Sequence, residues 1–174
     1  QLLRNALTPQ HRSPLRYVKK KPWTYDQFHP EVVAAVVDRL LAPLTRAELA
    51  DPVVLSRRMG ARCNANDDDG LMIGNWSGQY KPHVAPNKWT GSLPVLRAWV
   101  NGGPVKYGQC FTFAGCLTTV CRTLGLACRP ISNYWSAHDG GFDRAIDKFF
   151  EADGSKSNET EDSIWTFHGA RPPN

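Results

Sequence analysis

Two side chains in this sequence, Cys110 and His168, are of the types that together carry nucleophilic catalysis. Cys110 stands in Tyr107-Gly108-Gln109-Cys110-Phe111, where a glycine-containing loop gives way to a long apolar run with helical periodicity. A cysteine at a helix start faces backbone N–H groups and the positive end of the helix dipole, which favours the thiolate, and those N–H groups can receive an oxyanion. His168 closes the aromatic segment Ile164-Trp165-Thr166-Phe167-His168, which can line a cleft and supply the base. Without that context, a buried structural cysteine is the commoner interpretation.

A second group of polar residues alternates in the way that oxygen ligands do in calcium loops. Asn64, Asn66 and Asp68 lie in the glycine-ended stretch 63–70, and calcium is bound by carboxylate, amide and backbone oxygens. Taken by itself, the stretch is equally well explained as a solvated turn. The residues alone therefore leave both interpretations open.

The composition is that of a globular protein with one core. The 174 residues include 41% hydrophobic and 21% charged residues, and the formal net charge is +5. The densest basic run, Lys19-Lys20-Lys21, is better explained as a solvated segment than as a nucleic-acid patch, so no nucleic-acid partner is expected. No apolar stretch is long enough to span a membrane, and no signal peptide is recognisable. Because the chain begins with Gln1 and not with Met, we expect its native start to be missing.

The cysteines indicate a reducing compartment. There are five (Cys63, Cys110, Cys116, Cys121 and Cys128), an odd number without a C-x-x-C pair. This pattern argues against a zinc knuckle and a disulfide framework and predicts free thiols, with Cys116 and Cys121 as core residues of the helix that begins near Cys110. We expect a cytoplasmic location, with release to the extracellular space without a signal peptide as the alternative.

The hydrophobic pattern predicts helices first and strands afterwards, which favours an α+β fold. Residues 1–15 lack periodicity and are expected to be a tail, and residues 63–70 and 84–88 are expected to be loops. The first predicted helix runs from Pro30 to about Leu41, and Thr45 and Glu48 after it form a capping box. A third helix starts at Asp51-Pro52 and runs toward Met59. Two further helices are predicted from a cap at Ser92 to Gly102-Gly103, and from Gln109 to Leu124 with Gly125 behind it. The predicted strands are Cys128–Trp135 and Asp162–His168.

Several motifs occur in an order and spacing that resemble those of one known family. They lie at residues 21–23, 27–28, 64–70, 74–76, 89–92, 107–115, 122–125, 129, 133–139 and 164–168. In these residues the chain resembles the transglutaminases, which are calcium-dependent acyltransferases with a papain-like α+β core. The resemblance implies a protein-glutamine gamma-glutamyltransferase that joins protein glutamine and lysine side chains, or other primary amines, through a cysteine thioester.

The resemblance also implies a role for individual residues. Cys110 matches the family nucleophile and His168 its base. Trp76 matches the tryptophan whose indole N–H helps to hold the oxyanion, and Trp165 matches a wall of the tunnel through which the amine arrives.

The implied cofactor is Ca²⁺, at two sites. At the first, the carbonyl of Ala61 is expected to join Asn64, Asn66 and Asp68. The second maps to Asp139, Asp143 and Asp162. Because Gly141 and Ala145 stand where the family offers oxygen side chains, we expect the second site to be the weaker one.

Two other departures from the family lie at Phe111 and at the C-terminal end of the chain. Phe111 replaces a tryptophan that commonly follows the nucleophile, which is a mild change. The chain stops six residues after His168, at Asn174, before the strand and the orienting aspartate that the family pattern places next. We therefore expect residues 16–174 to be a partial catalytic core, incomplete at its C-terminus, which is inactive or nearly so when isolated.

Two other classes of protein compete with the enzyme. A transglutaminase-like scaffold would keep the fold without the chemistry, although such a protein usually loses the cysteine. A papain-fold cysteine protease uses the same thiol and imidazole but does not explain Trp76, Trp165 or the acidic loop.

Overall fold

The computed structural model describes residues 2–4, 20–66, 70–141, 143–159 and 162–170. Within these residues no helix combines the length and the apolar character needed to cross a bilayer. A π-helical turn, Val36–Leu40, continues the first helix, and a 3₁₀ turn, Pro86–Lys88, precedes the fourth. The elements are β1 (Leu2–Arg4), β2 (Lys20–Pro22), α1 (Pro30–Ala35), α2 (Arg46–Ala50), α3 (Pro52–Cys63), β3 (Met72–Gly74), α4 (Ser92–Gly102), β4 (Val105–Gly108), α5 (Cys110–Thr123), β5 (Ile131–His138) and β6 (Ser163–Ala170).

The strands form three pairs. β1 and β2 are antiparallel, β3 and β4 are parallel, and β5 and β6 are antiparallel. The parallel pair is joined through α4, so β3, α4 and β4 form a crossover unit. Helix α5 follows β4 directly and packs against both α3 and β6. It therefore joins the helical part of the fold to the β5–β6 pair.

The core lies around α5 and the helices that precede it. Its buried side chains are Trp23, Tyr25, Val32, Ala35, Val36, Leu40, Leu55, Met59, Cys63, Leu71, Met72, Val95, Leu96, Trp99, Val105, Cys116, Leu117, Val120 and Cys121. Burial of such apolar area is the main favourable contribution to folding. The core therefore holds α5, and with it the residue at its first position, in a fixed place.

A buried hydrogen-bond network ties α4 and α5 to the segment after β2. The indole Nε1 of Trp23 donates to Ser92 Oγ at 2.9 Å, and Ser92 Oγ lies 2.6 Å from Thr119 Oγ1. Thr119 Oγ1 also donates to the carbonyl of Tyr25 at 3.0 Å. Because these groups are buried, leaving one without its partner would cost about 1–3 kcal/mol. The network fixes how α5 lies against the core.

Gly115 permits the close approach of α5 to Trp23, and replacing it should destabilise the protein. A Cβ at this position would lie 2.6 Å from the indole Nε1 of Trp23, whose ring is buried and hydrogen-bonded. We expect Gly115→Ala to lower the free energy of unfolding by about 1–3 kcal/mol through overpacking. Gly102→Ala on α4 is the matched control, since a Cβ there meets nothing within 4 Å. Chemical denaturation of both variants tests this, and equal stabilities would contradict the packing of α5 on Trp23.

Several local predictions are confirmed. Thr45 and Glu48 form the predicted capping box, with Glu48 N donating to Thr45 Oγ1 at 3.3 Å and Thr45 N to Glu48 Oε2 at 2.9 Å. Helix α5 begins and ends within one residue of its predicted bounds, and Gly125 behind it has a φ of +78°. Cys116 and Cys121 are buried core residues, as predicted.

Four local predictions need correction. Helix α3 continues through Cys63, because Leu55, Met59 and Cys63 recur every fourth residue and form one buried face. Ser92 is not a cap, since its hydroxyl is buried in the network above and the N-cap is Gly91. The predicted loop 84–88 contains the 3₁₀ turn, and the predicted strand at 128 begins only at Ile131, after Pro130, which has no N–H for a ladder.

Other elements were not predicted or cannot be compared. The short strands β1, β3 and β4 have no counterpart among the predicted elements, and Leu2–Arg4 of the expected tail pairs with Lys20–Pro22. The rest of that tail, residues 5–15, lies outside the described residues, as does Asp68.

Candidate active site

The parallel strands β3 and β4 end side by side, and each is followed closely by a predicted catalytic residue. Gly74 and Gly108 are partners at these ends, and Asn75 N donates to the carbonyl of Gly108 at 3.1 Å. Trp76 comes two residues after β3, and Cys110 comes two residues after β4. Because carboxyl ends of parallel strands meet at one edge of a sheet, the topology brings these two residues to the same place.

Cys110 is the first residue of α5 and carries a free, half-buried thiol. Gln109 before it has extended backbone, and its N–H donates to Thr112 Oγ1 at 3.3 Å, which closes the first turn of the helix. The thiol thus sits at the positive end of a helix of 14 residues. The predicted position of Cys110 at a helix start is confirmed.

The indole of Trp76 lies over the backbone of Gly74. A Cβ on Gly74 would overlap with Trp76 Cζ3, so glycine is required there for this placement of the ring. Trp76 is 54% exposed, and its ring centroid lies 6.2 Å from that of Trp165. Its position therefore depends on few packing contacts.

Strand β6 brings Trp165 and His168 to the same place. Their ring centroids are 4.8 Å apart in an edge-on arrangement, although regular alternation would put residues three apart on opposite faces of a strand. On the partner strand β5, Trp135 has a φ of +49°, which departs from regular strand geometry. Trp165 Nε1 donates to Ser163 Oγ at 2.8 Å, which orients the indole.

His168 is half-buried, and its Nδ1 atom is buried without a hydrogen-bond partner among the described residues. Burial, and after it the nearby His138, lowers the pKa of His168 below the ordinary value for histidine. Its neutral form, which can accept a proton, therefore persists to lower pH than in an exposed histidine.

Three of the four residues expected to act in the chemistry line one cavity. The cavity has a volume of about 420 Å³ and is lined by Cys110, His168 and Trp76, together with Gly60, Cys63, Asn64, Asn66, Gly74, Phe113, Ala114 and Leu117. Trp165 does not line it but contacts both Trp76 and His168 through its ring. A thiol, an imidazole and an indole thus line one largely apolar cavity, and these are the kinds of group that thiol-based acyl transfer uses.

The first predicted calcium loop borders the same cavity. Asn64 N donates to the carbonyl of Ala61 at 2.9 Å, and Asn64 Oδ1 accepts from Asn66 N at 3.2 Å. Gly70 passes so close to the carbonyls of Asn64 and Arg62 that a Cβ would overlap with them. The loop is therefore tightly folded around backbone oxygens, and its predicted ligand Asp68 lies outside the described residues.

The second predicted calcium site lies between β5 and β6. Asp162 is buried, and its two oxygens accept from Gly140 N at 2.7 Å and Asp147 N at 2.8 Å, which lowers the pKa of its carboxyl. Asp139 Oδ2 accepts from Arg144 N at 2.7 Å, whereas Oδ1 is buried without a hydrogen-bond partner among the described residues.

Asp143, the third residue of this site, is exposed and accepts from Ala145 N at 2.8 Å. In the described part of the chain, no three His, Cys, Asp or Glu side chains cluster closely enough to hold a metal. The carboxylates of Asp139, Asp143 and Asp162 therefore share a loop region without converging on one point.

A model of the transglutaminase-like superfamily matches residues 78–167, which is just over half of the chain. The chain belongs to the transglutaminase-like superfamily. The matched range contains Cys110 and Trp165 and ends one residue before His168. Trp76 lies two residues before its start.

Named transglutaminases are similar to most of this chain. Human protein-glutamine gamma-glutamyltransferase 4 is 39% identical over 156 residues, which cover 88% of this chain and 23% of that protein. Mouse protein-glutamine gamma-glutamyltransferase E is 39% identical over 156 residues, which cover 84% and 22%. The crystal structure of red sea bream transglutaminase matches with a TM-score of 0.73 and 36% identity over 88% of this chain and 25% of that one.

These matches confirm the predicted α+β transglutaminase fold. The chain spans about a quarter of the length of the curated relatives and of the solved structure that it matches.

One residue near this candidate site was not predicted. The imidazole of His138 stacks on Trp165 at 5.3 Å between ring centroids and influences the pKa of His168. It lies within the motif at 133–139, but a histidine on an exposed strand carries no local signal of a role. Only the pairing of β5 with β6, with His138 opposite Ser163, brings it near the site.

Proposed function

We propose that this chain belongs to an enzyme that transfers the acyl group of a protein glutamine to an amine through a thioester on Cys110. The observation that carries the proposal is the cavity lined by Cys110 at the start of α5, His168 on β6 and Trp76 in the loop after β3. Its partners are protein substrates with reactive glutamine and lysine side chains, and small primary amines. The relatives named as protein-glutamine gamma-glutamyltransferases support the same reaction.

The reaction has two steps that use the same groups. His168 first takes the proton of the Cys110 thiol, and the resulting thiolate attacks the glutamine carboxamide carbon. The C–N bond then breaks, ammonia leaves with the proton that His168 returns, and the acyl group remains on Cys110 as a thioester. A neutral amine then attacks the thioester, gives a proton back to His168, and releases the thiolate as the isopeptide bond forms. In both steps the oxyanion needs donors, for which the indole N–H of Trp76 and the backbone at the start of α5 are the candidates.

The aromatic wall of the site favours an amine over water. Trp76 and Trp165 lie 6.2 Å apart between ring centroids, and Trp165 in turn contacts His168. An apolar approach excludes water, which would otherwise hydrolyse the thioester to glutamate. Desolvation also favours the neutral form of an entering amine, which is the nucleophilic form. We therefore assign the tunnel wall to Trp165.

An acceptor on one ring nitrogen of His168 would fix the tautomer in which the other nitrogen takes the proton of the thiol. The resemblance to the family places the orienting aspartate beyond Asn174. We infer that residues 1–174 alone transfer amines at least about a thousandfold more slowly than the full native protein, since loss of this orienting role costs about 10⁴ in triad enzymes. The rates of the two proteins, measured side by side, test this inference.

Calcium is the cofactor that we propose. The buried, unpaired Oδ1 of Asp139 and the folded loop of Ala61, Asn64 and Asn66 present oxygen atoms of the kind that calcium binds. Asp68 at the first loop, and Asp143 and Asp162 at the second, complete the two proposed sites. Bound Ca²⁺ would supply positive charge that holds these acidic loops in place.

Asp139→Asn should weaken calcium binding at the second site by at least about tenfold, because it removes a negative charge from an oxygen that is buried without a partner. Calorimetric titration of the full native protein with CaCl₂ measures the affinity. Asp153→Asn is the matched control, since Asp153 is an exposed aspartate in the same loop region. Asp68→Ala should remove the other, tighter site. Titrations that do not distinguish Asp139→Asn from Asp153→Asn would count against the second site.

The proposed compartment is reducing and cytoplasmic. None of the five cysteines, all of which lie among the described residues, forms a disulfide. Free thiols persist where glutathione keeps them reduced. Cell fractionation of the native protein tests this proposal, and recovery only from the secreted fraction would contradict it.

The function is tested by incorporation of a fluorescent primary amine into casein, with Ca²⁺ or with a chelator. We expect incorporation that depends on calcium. A protein without incorporation in either condition would be the inactive scaffold. Cleavage of casein in place of incorporation would identify a protease.

A further inference from the structure

The side chain of Gln109 links the nucleophile helix to the loop that carries Trp76. Its Nε2 atom donates to the carbonyl of Asn75 at 3.2 Å and to the phenol oxygen of Tyr80 at 3.1 Å. Gln109 is the residue immediately before Cys110, so one residue is attached to the thiol through its backbone and to the Trp76 loop through its side chain.

Both ends of this link are held by further contacts. Asn75 N donates to the carbonyl of Gly108 at 3.1 Å, and Asn75 Oδ1 accepts from Ser77 N at 2.9 Å and Ser77 Oγ at 2.7 Å. At the other end, the ring of Tyr80 packs against Tyr107 with 6.4 Å between centroids. Asn75, directly before Trp76, is therefore fixed by its main chain and by its side chain.

Trp76 depends on such a link because little else holds it. Its indole is 54% exposed, and its ring rests on the backbone of Gly74 and near Trp165. A donor to an oxyanion must point at the developing charge, and a misplacement of about 1 Å can cost about a hundredfold in rate. About half of the Trp76 surface is exposed to solvent, so packing alone leaves the orientation of the indole poorly defined.

We propose that Gln109 is a positioning residue that, with Tyr80, sets the indole of Trp76 relative to the sulfur of Cys110. The proposal deepens the acyl-transfer function proposed above and rests on it. Gln109 acts through the loop and not on the substrate. A single side chain thus sets the distance between the nucleophile and the oxyanion donor.

The first test is Gln109→Met in the full native protein, which removes both N–H donors at similar side-chain volume. With the fluorescent amine and casein, we expect kcat to fall about ten- to a hundredfold while KM for casein changes less than about threefold. Tyr80→Phe, which removes one of the two hydrogen bonds, should show a smaller loss in the same direction. Gln79→Met on the same loop is the matched control, since the Gln79 side chain is exposed.

A double-mutant cycle shows whether Gln109 acts through Trp76. In a Trp76→Phe background the indole donor is already absent, so Gln109→Met should change kcat by less than about threefold. Iodoacetamide should alkylate Cys110 at the same rate in Gln109→Met as in the unmutated protein. Losses that multiply in the double mutant, or slowed alkylation, would instead mean that Gln109 supports Cys110 directly and would overturn the proposal.

A spectroscopic readout keeps this inference separate from the proposed function. In protein labelled with 5-fluorotryptophan, the resonance of Trp76 is assigned by its loss in Trp76→Phe. We expect Gln109→Met and Tyr80→Phe to shift or broaden that resonance, and Gln79→Met to leave it in place. If the unmutated protein transfers no amine, the proposed function fails, and the fluorine spectra alone decide whether Gln109 positions Trp76. Identical Trp76 resonances in all variants would overturn the inference.

Discussion

Cys110→Ser should reduce amine incorporation by about 10⁴- to 10⁶-fold, the size of loss seen when a nucleophile is removed from an enzyme that works by covalent catalysis. A serine hydroxyl at the start of α5 stays protonated at neutral pH, and the base at His168 has to generate an alkoxide in place of a thiolate. The tightly packed core behind α5 is untouched, because Cys110 lies at the half-buried first position of the helix. Initial rates with fluorescent amine and casein, in the full native protein, measure the loss.

The matched control is Cys128→Ser, at another half-buried cysteine. Cys128 Sγ lies 3.9 Å from Thr118 Oγ1, and a serine hydroxyl can keep that contact. This variant should retain its activity. Iodoacetamide should label Cys110 well before Cys116, because complete burial raises the pKa of Cys116 well above its usual range. A Cys110→Ser protein with more than about a tenth of the original rate would remove the basis for thioester chemistry at this site.

His168→Gln should lower kcat by about 10³- to 10⁶-fold, because His168 is the one imidazole among the described residues that line the cavity, and none of these residues is a carboxylate. Glutamine keeps a polar side chain of similar reach on β6, so the pairing with β5 is preserved. His29→Gln is the control, since His29 caps α1 away from the cavity. Comparable rates for His168→Gln and the unmutated protein would show that another group acts as the base.

The pH dependence follows from the sign of the shift at His168. Burial and the charge of His138 disfavour the imidazolium form and lower the pKa of His168, so the acid limb of the rate profile should lie below that of an ordinary histidine. His138→Gln removes one of these two causes. The pKa of His168 should then rise, and the acid limb of kcat/KM should move to higher pH. An acid limb that stays in place or moves downward would contradict the influence of His138 on the pKa of His168.

Helix boundaries were predictable because their signals are local. The capping box of Thr45 and Glu48, the start of α5 near Cys110 and the positive φ of Gly125 each depend on residues within four positions of one another. Hydrogen bonds within a helix join residues four positions apart, so the sequence pattern and the helix depend on the same short sequence separation. Where a tertiary contact intervened, the prediction failed: Ser92 has the chemistry of a cap but is used by Trp23 and Thr119.

Strands depended on partners that are distant in sequence. β3 has three residues and β4 has four, too short for a recognisable alternation. They exist because each supplies the other's hydrogen bonds across the α4 crossover. The same parallel pairing brings Trp76 and Cys110 to one edge, which no local pattern indicates.

The sequence by itself determined the kinds of chemistry available to this protein: a thiol at a helix start, a histidine in an aromatic strand, oxygen-rich loops and a set of motifs typical of transglutaminases. The tertiary structure decided how those groups meet. It placed Cys110, His168 and Trp76 around one cavity, left Nδ1 of His168 buried without a partner among the described residues, and joined Gln109 to the loop of Trp76. The physical reason is that side-chain type is a local property, whereas distance, burial and hydrogen-bond partnership across a site arise only when strands and helices far apart in sequence pack together.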